Sequence, residues 1–299
     1  MFALSLTLGL PALFFSVTCA VAYSASDYFR KAVPNDASAA LVLFYAFGLE
    51  APVLGLWLVA SGDARLETGY ILPGLVAAPI GLGATWLFLL AVRRSPLSLM
   101  VPLLALVPVF TAVFAGLVVG EWPTLRQAAG ILVVAVGLFT LFIPASGGFH
   151  PLLVWRNLAR EPGALPMAGV AVLWSISPPV DKLCLAYASV GMHGLVQLLV
   201  LFVATGLWLV VHGGLGALAP PRASARSLLG VGLTAGIGYT LQLVAYQLTL
   251  VAVVELVKRT VGLVGALIYG RVYFNEPVTG PKVLGIVIIA LGLPLVLLG

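Results

Sequence analysis

The chain has 299 residues, of which 62% are hydrophobic and only 8% charged, with a formal net charge of +5 and a mean hydropathy of +1.15. A water-soluble globular domain carries roughly a quarter charged residues, so the composition excludes one and places nearly the whole chain in a bilayer. The basic excess lies at the ends of apolar segments rather than in a patch, which marks it as a topology signal and argues against nucleic acid as a partner.

Apolar runs between polar or Pro/Gly breaks predict ten spans, over 4–29, 37–60, 70–92, 96–119, 125–143, 165–187, 191–212, 227–248, 252–274 and 281–298. Each is near the roughly 20 residues that cross about 30 Å of hydrocarbon. No ten-residue alternation recurs, so helices rather than a barrel must satisfy the backbone inside the membrane. The predicted fold class is an all-α membrane protein.

In span one, Ser24-Ala25-Ser26 carries hydroxyls that can bond the helix backbone, followed by Asp27 and Arg30. Span two holds Glu50 with no partner nearby in sequence. An intramembrane carboxylate is costly, so Glu50 is expected to face a cavity, pair with a cation or carry a proton. Span three is apolar and aromatic, with Trp86 at its middle and Tyr70 at its start, where an interfacial belt residue is expected. After span five, residues 144–163 form a linker. Leu152, Leu153 and Trp155 beside Arg156 and Arg160 predict a short interfacial helix there.

Pro178-Pro179 in span six is expected to break the helix and free carbonyls toward a cavity, making Ser24, Pro178 and Pro179 candidate gate or hinge positions. Asp181 follows, expected in an interfacial ion pair with Lys182, as Asp27 with Arg30. In span seven, His193 and Gln197 are four apart and predict a helix–helix hydrogen bond. Span eight carries Tyr239, Gln242 and Tyr246 at three- and four-residue spacing, one polar face suited to lining a cavity. In span nine, Lys258 and Arg259 lie about two turns inside the helix. Together they can offset the desolvation of an anion, Arg as a planar fork and Lys as a point charge. Glu255 is three residues before Lys258, where it can neutralise a cation or exchange a proton.

The second half repeats the first. Gly81, Gly83, Glu121, Gly130 and Gly137 recur 155 positions later as Gly236, Gly238, Glu276, Gly285 and Gly292. Five spans belong to each half, giving repeats over 1–143 and 164–299. An odd number of crossings makes the second repeat inverted relative to the first. Basic residues border the odd-numbered connections, at Arg30, Lys31, Arg93, Arg94, Arg156, Arg160, Arg222, Arg226 and Lys282. The odd connections are therefore expected in the cytoplasm and both termini on the opposite side.

Cys19 and Cys184 stand apart from any metal-ligand or redox pattern and read as core residues. No nucleophile elbow, zinc helix or phosphate-binding loop occurs. Neither an enzyme nor an ATP-driven pump is expected, and no metal or cofactor.

Span four closes with Gly120-Glu121-Trp122-Pro123 before Gly130 and Gly137, and span nine with Asn275-Glu276-Pro277 before Gly285 and Gly292. This signature, once per half, resembles the EamA-type domains of the drug/metabolite transporter superfamily. The resemblance covers nearly the whole chain and implies a ten-helix carrier of small metabolites. Its physical sense is a helix-end carboxylate, a proline opening the next helix and glycines for close packing. A narrower stretch, Val257-Lys258-Arg259-Thr260-Val261, resembles the Lys-Arg pair of the triose-phosphate translocators and implies that Lys258 and Arg259 hold an anionic group. The chain departs from those translocators at the equivalent point of span four, which reads Leu103-Leu104.

The resulting expectation is a secondary carrier in a bacterial inner membrane that moves a small organic anion or amphipathic metabolite by alternating access. Lys258, Arg259, Tyr239, Gln242, Tyr246 and Trp86 are the expected substrate contacts. The alternatives are an amino acid or drug exporter coupled to protons through Glu50 or Glu255, a flippase for a phosphate-bearing lipid carrier, and a non-transporting membrane subunit. The expected partners are the small-molecule substrate and the lipid bilayer, with a homodimer left open.

Overall fold

The structure is a computed structural model, described over residues 9–31, 33, 38–95, 104–141, 143, 161–219, 225–274 and 279–297. Asn275-Glu276-Pro277, Leu103 and the expected interfacial helix around Trp155 lie outside the described residues. Ten α-helices follow in chain order among those described: α1 (Leu10–Lys31), α2 (Ala39–Ser61), α3 (Ile71–Arg94), α4 (Val107–Val119), α5 (Leu125–Thr140), α6 (Ala164–Leu185), α7 (Val190–Gly213), α8 (Ala225–Leu248), α9 (Val251–Phe274) and α10 (Gly280–Leu297). Short 3-10 turns, Thr68–Tyr70 and Leu215–Leu218, follow α2 and α7. Six stretches among the described residues are long and apolar enough to cross a membrane, five within α1, α2, α7, α8 and α10 and one, Thr68–Phe88, running from the 3-10 turn into α3, while α4 and α5 are shorter apolar helices.

Local sequence sets where these helices begin and end. The Ser38 hydroxyl accepts the Leu41 N–H at 3.2 Å and opens α2, and the Ser189 hydroxyl accepts the Met192 N–H at 3.3 Å and opens α7. At α5, Thr124 and Gln127 form a reciprocal capping box. Pro123 therefore precedes the cap instead of occupying the first helical position. Gly120 ends α4 at φ 73°, a left-handed conformation that a Cβ would strain. That turn delivers Glu121 to its partner, described below.

Tight contacts divide the chain into two compact units, each drawing on both halves of the sequence. The first holds Pro79–Val180 and Leu248–Gly299 with the first twelve residues; the second holds Leu13–Ala78 and Asp181–Gln247.

In the first unit, α5 packs on α10 through the repeated glycines. A Cβ on Gly130 would meet Val296 at 2.6 Å, and one on Gly285 would meet Leu141 at 2.6 Å. A Cβ on Gly137 would meet Ile289 at 2.8 Å, and one on Gly292 would meet Val134 at 2.8 Å. Each contact maps onto its counterpart when both residues shift by 155 positions, 130 to 285 with 141 to 296, and 137 to 292 with 134 to 289. The contact therefore exchanges with itself, as a two-fold interface does. Stepping from Gly130 to Gly137 advances seven residues along α5, while the contact retreats seven along α10, from Val296 to Ile289. The two helices are antiparallel, so the equivalent helices of the two repeats point in opposite directions.

The second unit uses the same device between α2 and α7. Gly48 lies against the Phe202 ring, Gly194 against Leu54, Gly191 against Leu58 and Gly206 against Phe44, a run that rises along α2 as it falls along α7. Phe44 and Phe202 stack at 4.4 Å. Small residues let these backbones approach where lipid tails offer no hydrophobic drive to association. Gly232 and Gly236 of α8 likewise admit Leu49 and Val53 of α2.

One expectation about the helices is corrected. α6 runs unbroken through Pro178 and Pro179, both buried. The prolines still remove the amides that would bond the carbonyls of Trp174 and Ser175, four residues back. Neighbouring helices can hold such a segment helical inside a membrane protein. α1 is likewise continuous, with the Ser24 hydroxyl donating to the Ala20 carbonyl at 2.9 Å.

Candidate functional site

The first unit gathers the cationic residues of α9. Lys258 forms an ion pair with Glu255 one turn earlier, Nζ to Oε1 at 2.5 Å, with the carboxylate almost wholly buried. Arg259 projects elsewhere, its guanidinium carbon 4.7 Å from the ring centre of Trp174 on α6. The electron-rich ring face attracts the cation, and more strongly where water is excluded. Trp174 lies in turn 5.3 Å from Phe88 of α3, the planes 32° apart. Both aromatics pack on a core of Ala91, Leu104, Val107, Met167, Val170 and Ala171. The Ser175 hydroxyl donates to the Ala171 carbonyl at 2.6 Å, bonding backbone in the proline-modified stretch of α6.

Lys258 and Arg259 are thus adjacent in sequence but directed to different neighbours, one to a carboxylate on its own helix and the other to an aromatic ring on α6.

Glu121, the carboxylate of the repeated signature, accepts the N–H of Val251 at 3.1 Å. Val251 is the first residue of α9, so a carboxylate meets the positive end of that helix and takes up one of its unpaired amides. The signature Gly-Glu thereby acquires a structural role, in which Gly120 makes the turn and Glu121 anchors the helix that carries Lys258 and Arg259.

The remaining predicted residues divide between the units. Trp86 belongs to the first unit and is 44% exposed. Tyr239, Gln242, Tyr246 and Glu50 belong to the second. There Gln242 and Tyr246 are buried and Tyr239 partly so. Glu50 is buried where α8 crosses α2, its Cα 3.2 Å from the point a Gly236 Cβ would occupy. Arg30 is the cation within electrostatic reach of it.

A second polar group in the same unit departs from expectation. Tyr70 is 6% exposed rather than an interfacial belt residue: its hydroxyl meets His193 Nδ1 at 3.0 Å and accepts from Gln197 Nε2 at 2.9 Å. The expected pair of His193 and Gln197 thus does make a bond between elements, through Tyr70. Asp181 is buried too, with Oδ1 3.4 Å from His193 Nε2, where an interfacial pair with Lys182 was expected. Trp174 was missed from sequence, where the available signal was an aromatic one turn before a double proline.

These observations define a polytopic helical membrane protein of two inverted repeats with a cationic cluster in one interior helix. The chain belongs to the EamA-like transporter family, which matches it over residues 10–143 and again over 161–298. It is thus a membrane transporter of the drug/metabolite superfamily. A solved crystal structure is similar to it over 95% of each chain, with a TM-score of 0.73 at 17% sequence identity, a likeness of fold. No curated protein matches the sequence.

Proposed function

We propose that the protein is a secondary carrier that moves a small organic anion, or an amphipathic metabolite bearing an anionic group, by alternating access. The observation that supports this reading is the adjacent Lys258 and Arg259 of α9, Lys258 paired with the buried Glu255 and the Arg259 guanidinium lying over Trp174. Arg259 is the primary anion ligand, offering a planar fork to a carboxylate or phosphate. Lys258, already paired with Glu255, contributes a second donor when an anion competes for it. Trp174 and Phe88 present an aromatic wall for the remainder of the cargo, a role also assigned to Trp86.

The prolines have a place in this cycle. α3 passes from one compact unit to the other at Pro79, and α6 just after Pro178-Pro179. A helix lacking internal hydrogen bonds at such points bends at lower cost, so these are the hinges of the carrier. The setting is a bacterial inner membrane, with both termini on the non-cytoplasmic side.

The test is thermal stabilisation of the purified protein by phosphate esters, carboxylates, amino acids and organic cations, repeated with Arg259→Ala. A ligand that binds only the folded state stabilises in proportion to the logarithm of its saturation. Stabilisation by anions that the variant loses supports the reading. Stabilisation by cations or amino acids that survives in Arg259→Ala and disappears in Glu50→Gln refutes it, and favours an exporter built around the buried carboxylate of α2.

A further inference from the structure

The cationic cluster does not use the buried group formed by Tyr70, Asp181, His193 and Gln197. His193 is completely buried and Asp181 nearly so. Both sit near helix ends, Asp181 four residues before the end of α6 and His193 at the fourth position of α7. The contacts around the imidazole suit the tautomer with its hydrogen on Nε2. Gln197 Nε2 donates to the Tyr70 oxygen at 2.9 Å and to the Gly74 carbonyl at 3.1 Å. In that tautomer the Tyr70 hydroxyl, while accepting from Gln197, gives its own proton to His193 Nδ1, 3.0 Å away. The imidazole hydrogen is left on Nε2, facing Asp181 Oδ1 across 3.4 Å, longer than a formed N–H···O bond. Nε2 makes no hydrogen bond.

A strap of exposed loop lies beside this group. Residues 62–67 join the α6–α7 connection through the Leu66–Ala188 bridge, a Glu67 N–H to Tyr187 carbonyl bond at 2.8 Å and a Ser189 N–H to Arg65 carbonyl bond at 2.9 Å. Arg65 donates to the carbonyls of Ala186 at 2.8 Å and Leu185 at 3.1 Å, completing the end of α6. The group is thus buried, yet within about one helical turn of water-exposed backbone.

We propose that Asp181 and His193 form a proton-binding pair, separate from the Lys258/Arg259 cluster, through which the carrier takes up one proton from the water at the α2–α3 loop. With His193 neutral and Asp181 ionised, the buried pair carries a charge of −1. A hydronium ion gives its proton to Nδ1 and leaves as water, as the Tyr70 O–H···Nδ1 hydrogen bond breaks and that hydroxyl turns away. Tyr70 then accepts from Nδ1, Asp181 stays anionic, and the Nε2–H···Oδ1 contact closes on a neutral ion pair. No other bond breaks. Such a change is costly to make halfway, which suits a step linked to a conformational change. Among the described residues, Asp181 lies within electrostatic reach of Tyr70, of Cys184 on α6 and of Tyr239 on α8, which Tyr23 on α1 reaches in turn, and Asp63, Arg65 and Glu67 belong to the strap. Lys182 follows Asp181 about 100° further round α6. The inference rests on the carrier reading, since a proton site in a static subunit would have nothing to couple to.

The test is nitrogen NMR of the full-length protein with labelled histidine, titrated between about pH 5 and pH 9. His193→Gln assigns the resonance against His150 and His212. The expected result is that His193 passes from the Nε2–H tautomer to imidazolium within that range. Asp181→Asn, which removes the facing anion, should weaken proton binding at least tenfold, moving the midpoint toward acid. A His193 signal that keeps one form throughout overturns the proposal, as does a midpoint that Asp181→Asn leaves in place. If Asp181→Asn does not fold, Asp181→Glu takes its place and must preserve the titration. The measurement needs no cargo, so its failure is distinct from a failure of the anion assay with Arg259→Ala.

Discussion

Replacing Gly137 with alanine puts a methyl group where α5 meets α10, and the structure fixes what it encounters. The added Cβ would lie 2.8 Å from Ile289 Cγ1, 2.9 Å from the Gly285 carbonyl oxygen and 2.9 Å from the Ile289 amide nitrogen. A side chain can rotate away, but two of these three atoms are backbone, so the helices must separate along the seam. Forcing extra methyl groups into close packing costs about 1–3 kcal/mol. Alanine in place of glycine returns about 1 kcal/mol of helix propensity. Gly55→Ala on α2, with nothing within 4 Å of its added Cβ, receives the same propensity gain without the clash. Gly137→Ala should therefore unfold more easily than Gly55→Ala by about 1–3 kcal/mol, measured by reversible detergent denaturation followed by tryptophan fluorescence. Gly292→Ala should fall by a similar amount, because its Cβ would meet Val134 Cγ2 at 2.8 Å and the Val134 amide nitrogen at 3.0 Å. The double variant should cost less than the sum, since the first substitution already parts the helices for the second. Equal stability of Gly137→Ala and Gly55→Ala, or strict additivity in the double variant, would refute the shared seam.

Glu121→Gln keeps the shape of the side chain but removes its charge from the start of α9, and should cost about 0.3–1 kcal/mol. Its readout is weaker anion stabilisation alongside a small fall in thermal midpoint, because α9 carries Arg259. Arg65→Ala removes the donor that completes the end of α6 and should release the strap, at a cost of about 1 kcal/mol given its exposure. Faster hydrogen exchange at the amides of Glu67 and Ser189, with the α5–α10 seam unchanged, is the expected pattern; unchanged exchange there refutes the strap.

The membrane helices were legible because a bilayer leaves the backbone few choices. A run such as 191–212 must satisfy its amides internally, and α7 occupies Val190–Gly213. The inversion was legible from an odd number of crossings, and the antiparallel contacts of α5 with α10 realise it. Glu255 beside Lys258 was also readable, because both lie on one helix, where spacing decides contact. Partners on other elements were not. Nothing in the order of residues joins Arg259 to Trp174, or Asp181 to His193, because each pair forms only through tertiary packing. Tyr70 looked interfacial for the same reason: tyrosine at a span start usually meets headgroups, and only the fold brings His193 and Gln197 to its hydroxyl. Pro178-Pro179 misled in a different way, since two missing amides weaken a helix but do not by themselves break one that its neighbours hold.

The α5–α10 seam also sets a schedule for biogenesis. Its two halves are 155 residues apart, and synthesis at roughly 5–20 residues per second separates them by about 8–30 s. During that interval α5 is in the membrane with its glycine groove filled by lipid or by another helix. The seam can close only once α10 has been inserted, so a ribosome that stops short of α10 leaves a protein with an open groove along α5.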